Sequence, residues 1–243
     1  NMDWYETFDF DENPFSIDAR ENFDKLVDME EHVEEMNYRI NAGSMLVVEG
    51  PEGSGKTTLL MMAADKFGGR RKVVYVDCEI LDKNLNITHV LQERFGIIGR
   101  LFNKKPKNMI LLMDNVNYLS KKNTERIKYY FDQNYIKSII FTANSYSRAK
   151  FSDSLRDRIG QRIVKLPKYN KDLAVEVIMS RTDNNEMFND QIITKIFKSS
   201  KNLKELLHNC EKVAMSAAKK ERRRVQMADL KVLSDKKWFG IKK

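Results

Sequence analysis

The chain has 243 residues, 42% of them apolar, and carries a formal net charge of +8. That is enough apolar material for a proper core, and the length fits one medium-sized domain with a modest appendage rather than a disordered polymer. No uncharged apolar run is long enough to span a membrane, and the acidic opening does not read as a signal peptide. The first stretch, residues 1–20, is aromatic and acidic, with Trp4, Tyr5, Phe8, Phe10 and then Asn13-Pro14-Phe15. Residues this apolar rarely stand free in water, so the segment is expected to pack as an arm on the domain that follows. Glu21 to Asn41 reads as an amphipathic helix on Phe23, Leu26, Val27, Met29, Val33 and Met36, ended by Ala42-Gly43.

Ser44 to Glu49 is a short apolar strand, and Gly50-Pro51-Glu52-Gly53-Ser54-Gly55-Lys56-Thr57 follows it at once. This fits the phosphate-loop pattern G-x-x-x-x-G-K-[ST], whose glycines let successive backbone N–H groups turn inward onto phosphate oxygens. Lys56 is expected to reach the β- and γ-phosphates of ATP, and the Thr57 hydroxyl to ligate Mg²⁺. Thr58 onward continues as a good helix former, so the positive end of a helix faces the same phosphates. Average composition gives a chance match odds of about one in a hundred, and the strand-loop-helix setting lowers them further.

Gly68-Gly69 breaks the chain, and Lys72 to Asp77 gives a second strand. Leu85 to Phe95 reads as a helix, Lys104-Lys105-Pro106-Lys107 as a turn, and Met109 to Met113 as a third strand, apolar on both faces. Such strands belong inside a parallel sheet covered by helices. A basic helix around 121–134, a fourth strand from Lys137 to Thr142 and a fifth from Gln161 to Leu166 complete a doubly wound, five-stranded parallel α/β domain. From Asn170 on, every periodic segment is helical, at about 170–182, 188–198, 202–222 and 226–234. The expected division is an arm and helix over 1–40 packed on the core, an α/β domain over 41–168 and a helical lid with a basic tail over 169–243. The basic residues gather in Lys219-Lys220-Glu221-Arg222-Arg223-Arg224, Lys236-Lys237 and Lys242-Lys243, a pattern suited to an anionic partner such as DNA or to a solvated helix face. Cys78 and Cys210 are far apart and lack metal-ligand spacing, which points to a reducing cytoplasm without a disulfide framework. His32, His89 and His208 form no metal-binding pattern either.

The third strand runs into Asp114-Asn115. An acid at the end of a buried strand beside a phosphate loop is placed to hold a water on Mg²⁺. Asn115 takes the next position, where an amide orients a water but cannot accept its proton. Slow hydrolysis is therefore expected, with Asp77 and Glu79 on the neighbouring strand as substitute carboxylates. The fourth strand ends at Phe141-Thr142-Ala143-Asn144, and Asn144, with Thr142 behind it, is expected between the loop and Asp114 strands, within reach of the γ-phosphate. In Ser154-Leu155-Arg156-Asp157-Arg158-Ile159-Gly160, the plain reading of the arginines is pairing with Asp153 and Asp157.

Taken together, these pieces resemble the AAA+ ATPases over about residues 40–235. By that resemblance Gly50 to Thr57 is the Walker A loop, Asp114 the Walker B acid, Asn144 the sensor 1 residue and Leu155 to Gly160 the arginine-finger segment. Arg158 would be the finger, with Arg156 in reserve, acting on the nucleotide of a neighbouring subunit in a homo- or hetero-oligomer. Family members usually carry Glu where this chain has Asn115. The sensor 2 arginine falls in Lys201-Asn202-Leu203-Lys204, where Lys204 lacks the planar fork of Arg. In many P-loop ATPases an equivalent leader lies beside the adenine, which makes Pro14 and Phe15 candidates for base contacts. Within the superfamily the chain is similar to the initiator and clamp-loader group (Orc/Cdc6-type proteins), and its opening resembles ATPases of the secretion-associated ExeA type. No winged-helix pattern follows the lid, so sequence-specific DNA recognition of that kind is not expected. The implied activities are an Mg·ATP-dependent motor or loader on DNA, or a slow ATP switch that recruits a protein partner. A small-molecule kinase ranks last.

Overall fold

In the computed structural model, which describes residues 3–68, 73–81, 89 and 108–234, the five apolar runs form one sheet ordered β2-β3-β4-β1-β5. The strands are β1 (Met45–Glu49), β2 (Val73–Asp77), β3 (Met109–Asp114), β4 (Ile136–Ala143) and β5 (Ile163–Lys165), all paired in parallel. Among the described residues, this unit contains helices α1 (Glu30–Ala42), α2 (Lys56–Gly68), α3 (Lys121–Asp132) and α4 (Asp153–Ile159). The expected α/β class and strand count are observed. The helix expected over Leu85 to Phe95, the turn at 104–107 and the tail at 236–243 lie outside the described residues.

Strand parity decides what each face meets. Met45, Val47, Leu111, Met113, Ile139 and Phe141 share a core with Ile127 of α3 and with Leu155 and Ile159 of α4. Leu46, Val48, Ile110, Leu112 and Ile140 alternate with them, are equally buried, and form the face on which α1 and α2 pack. Every residue of β3 is buried, as a central strand requires. Burial of each such Leu, Ile or Val side chain contributes about 1.5–3 kcal/mol. α3 and α4 start on Ser120 and Ser152, whose hydroxyls accept from Asn123 N and Leu155 N.

The second unit joins residues 1–27 to the chain from Lys168 onward. Its helices are α5 (Lys171–Arg181), α6 (Asp190–Lys198) and α7 (Leu203–Ala218), followed by a 3₁₀ stretch at Met227–Leu233. Each α-helix opens on an asparagine, Asn170, Asn189 and Asn202, whose Oδ1 accepts from the amide three residues on. Two expectations need correction here. The leader, expected against the α/β core, instead shares a core with the helices: Phe8 and Phe15 are buried among Leu173, Ile178, Ile193 and Cys210. Phe15 stacks on Trp4 and meets Phe188 edge-on, so it presents no free face to a base. Pro14 is also buried, and its carbonyl accepts from Arg181 Nη1 (3.2 Å), which binds Ser16 O at 2.8 Å as well. Burial lowers the Arg181 pKa, against the charges of Glu21 and Asp24.

The second correction concerns the helix read from Glu21 to Asn41. Only Glu30–Ala42 is α-helical, preceded by a short 3₁₀ turn at Phe23–Lys25. Asn22 and Asp28 both take positive φ (59° and 54°), a backbone state that ends right-handed helix on either side. Of the apolar positions in that reading, Met29 and Met36 are buried, Phe23, Leu26, Val27 and Val33 are half-buried, and Val27 packs against the core of the helical unit.

The basic run after α7 is largely engaged. Lys220 (3.0 Å) and Arg222 (2.6 Å) both reach the fully buried Asp229 carboxylate, Arg223 pairs with Asp9, and Arg224 with Glu186. Burial alone raises the Asp229 pKa, but the Gln226 amide, the bonds from Lys220 and Ser216 and the Arg222 charge outweigh it and hold it below the usual value. A depressed folded pKa adds stability that is present above the unfolded value, about 3.9, and lost as pH falls through the folded one. Asp229→Asn is expected to melt earlier than wild type at pH 7, and the gap should close below about pH 4. A gap that does not depend on pH in thermal melts would discount the charge network.

Candidate functional site

The turn from β1 into α2 sets the site. Gly50 N donates to Ala143 O (3.0 Å), tying the loop to the end of β4, and a Cβ on Gly50 would stand 2.5 Å from Ser54 Oγ and 3.2 Å from Leu166 Cβ. Gly55 sits at φ +96°, a conformation that a side chain rarely takes. The loop closes around Lys56, which is 6% exposed and donates from Nζ to Gly50 O and Pro51 O, both at 2.7 Å. Burial lowers the Lys56 pKa, and the Asp114 and Glu52 charges act against that. An anionic phosphate offers the same ammonium a stronger partner than two carbonyls. Ser54 Oγ is buried without a hydrogen-bond partner.

Parity brings the chemistry together on the α2 face. Tyr75, Asp77, Asp114 and Thr142 all point to that side, with Asp77 directly opposite Asp114 in the ladder. Asp114 is 1% exposed and accepts three hydroxyls: Thr57 Oγ1 (2.6 Å) and Tyr75 Oη (2.9 Å) on Oδ2, and Thr142 Oγ1 on Oδ1. Thr142 Oγ1 in turn accepts from Asn115 N (3.0 Å). Burial first, then the Asp114 charge and bond, drives the Tyr75 pKa far up, which keeps its hydroxyl protonated as a donor. Thr57 and Asp114 offer hard oxygen donors 2.6 Å apart, a donor set that suits Mg²⁺.

Asn115 adopts φ 57° and ψ 48°, tolerable for Asn, and its Nδ2 donates to Asp77 Oδ1 at 3.2 Å. Asp77 Oδ1 also accepts from Glu79 N (3.0 Å), whereas Glu79 is exposed and takes a bond from Tyr118 Oη. Asn144 lies exposed just past β4, the strand between those bearing the loop and Asp114. The buried polar contact from β4 is made by Thr142. Pro51 and Glu52 are exposed at the loop tip, and Thr58 is half-buried in the first turn of α2.

Neither arginine of α4 pairs with Asp153 or Asp157 as the plain reading had it. Arg156 donates to Tyr146 O (3.2 Å) and Ala149 O (2.6 Å) and lies over the Tyr146 ring. Arg158 is half exposed and pairs with Asp132. Lys204 is exposed in the first turn of α7, in the helical unit. Sequence reasoning missed Tyr75 and the Asp77–Asn115 contact; the alternation of β2 against β3 was the available signal. Among the described residues no group of three or more His, Cys, Asp or Glu could hold a metal on its own, and no helix is long and apolar enough to cross a membrane.

A parallel sheet with a phosphate-type loop after β1 and an acid ending β3 defines a P-loop nucleotide-binding domain. Residues 42–168 match the AAA domain family, and the chain belongs to it. No curated protein matches the chain significantly. Among solved structures it is similar to Cdc6p of Pyrobaculum aerophilum (17% identity, TM-score 0.70, over 96% of this chain and 73% of that one). It is also similar to Orc1 of Aeropyrum pernix solved in complex with DNA (15%, 0.69, 91% and 68%) and to the RuvB Holliday junction branch migration motor of Thermotoga maritima (17%, 0.62, 84% and 68%). At these identities the likeness is one of fold.

Thr142→Val leaves Asp114 and the Asn115 amide each short of a partner, which costs about 1–3 kcal/mol. An earlier urea midpoint with unchanged slope is expected, and Thr142→Ser should restore it. A Val variant as stable as wild type would show that these bonds carry no net stability.

Proposed function

We propose that this chain is an ATPase that binds Mg·ATP in the Gly50–Thr57 loop, turns it over slowly and works as an oligomer on DNA or a DNA-bound partner. The observation that carries the reading is the convergence of Lys56, Thr57, Asp114 and Thr142 from three elements around one loop. In it, the loop amides and Lys56 hold the phosphates, Thr57 and Asp114 hold the metal, and Asn144 faces the γ-phosphate. Bound Mg²⁺ supplies charge neutralisation on the β- and γ-phosphate oxygens. Arg158, exposed on α4, is suited to reach a neighbouring subunit's nucleotide, while Arg156 is spent on holding the segment after β4. Lys204 stands as the sensor 2 candidate of the helical unit.

DNA as partner is supported by the net charge and by the fold shared with the Orc1 structure. The pairing of Arg222 and Lys220 with Asp229 leaves less of the basic run for that purpose, whereas exposed pairs such as Arg223–Asp9 are weak and readily exchanged. A second reading, an ATP switch that recruits a protein, is favoured by Asn115, an amide at the position that would activate water. The buried, unpaired thiols Cys78 and Cys210 fit a reducing cytoplasm.

Steady-state ATP turnover, measured over a range of protein concentrations with and without duplex DNA beside Lys56→Ala, tests the proposal. Turnover per protomer should rise with concentration and with DNA, and Lys56→Ala should neither bind ATP tightly nor turn it over. Tight binding with no DNA response would move the conclusion to the switch, and wild-type affinity in Lys56→Ala would overturn the site. Arg158→Ala should bind ATP normally but turn it over about 10³-fold more slowly. Activity should return on mixing it with a hydrolysis-dead, finger-intact partner; no recovery would remove the finger.

A further inference from the structure

We infer that Asp77, on the strand beside Asp114, is the general base that accepts the proton of the attacking water, with Asn115 as its positioning residue; this rests on the ATP site proposed above. The carboxylates at this end of the sheet are otherwise engaged or misplaced among the described residues. Asp114 is committed to three hydroxyls, and Glu49 takes the Tyr146 amide (2.7 Å). Glu79 is exposed and bonded to Tyr118, and Glu52 is exposed at the loop tip. Of these carboxylates Asp77 is the one that takes a hydrogen bond from the Asn115 side chain, from Nδ2 at 3.2 Å. That bond turns the amide so that its nitrogen serves the carboxylate and its oxygen is left to orient a water, which is all an amide can do. A carboxylate one strand over then supplies the basicity that Asn115 lacks.

The step balances without a further reactant. The water oxygen forms a bond to the γ-phosphorus, and the bond from that phosphorus to the β–γ bridging oxygen breaks with its electron pair on ADP. The water proton passes to Asp77, which later releases it to solvent.

Asp77→Asn is a clean test because its Oδ1 still accepts from Asn115 and from the Glu79 amide. Single-turnover hydrolysis, at protein concentrations where assembly does not limit, is measured beside equilibrium binding of Mg·ATP. Asp77→Asn should slow hydrolysis at least about 100-fold with affinity held within about twofold. Adding Asn115→Asp to Asp77→Asn, which returns a carboxylate to the pair, should recover about tenfold or more of the lost rate. Glu79→Gln should behave as wild type. Hydrolysis by Asp77→Asn within about threefold of wild type overturns the base assignment. Loss of ATP binding in Asp77→Asn also overturns it and makes the carboxylate structural. A wild type that binds Mg·ATP yet never converts it to ADP overturns the base alone, whereas a wild type that binds ATP no better than Lys56→Ala overturns the ATP site as well.

Discussion

Burying a carboxylate in the floor of an α/β sheet costs several kcal/mol unless its oxygens are satisfied. Asp114 meets that constraint with hydroxyls from α2, β2 and β4, and satisfying it fixes much else in the unit. Thr57 can reach Asp114 only if α2 starts where the loop glycines let it start. Tyr75 and Thr142 can reach it only if β2 and β4 flank β3 in the observed register. A slip of one residue in either strand would turn its hydroxyl to the α3–α4 face and leave the carboxylate bare. The same buried charge also governs its surroundings, helping to keep Tyr75 protonated and to offset the burial cost of the Lys56 ammonium.

Much of this was legible in the chain. The loop announces itself because its chemistry requires fixed residue types at fixed spacing, and β1, β3 and β4 do so because strands buried on both faces are continuously apolar. Asp114 followed from its place at the end of such a strand. What the sequence withheld depends on pairing or on single backbone angles. Tyr75 looks like any strand tyrosine until β2 is set beside β3. Arg156 and Arg158, two residues apart, look alike until one is found bonded to carbonyls and the other facing solvent. The break at Asp28 hides within a good helical pattern because one residue at positive φ leaves the spacing of its neighbours intact.

The two arginines of α4 illustrate how a short helix can serve two purposes. Arg156 binds the backbone of the segment after β4 and stacks on Tyr146, whose amide in turn bonds Glu49 at the end of β1. That network links α4 to the strand end from which the phosphate loop springs. Arg158, on the outer side, is held by Asp132, whose pKa burial raises but the bonds from Lys128 and Arg158 bring below the usual value. Whatever draws Arg158 away must therefore replace an ion pair.

The way the leader is built into the helical unit has a consequence for synthesis. Trp4, Phe8 and Phe15 are made before the α/β segment, yet the helices they pack on follow only after Pro167. Until then these aromatics have only one another, while the α/β segment between them and those helices can already fold as a self-contained insert. The nascent chain thus carries an adhesive leader for as long as the α/β segment is being made. That interval is when a chaperone would most readily find it.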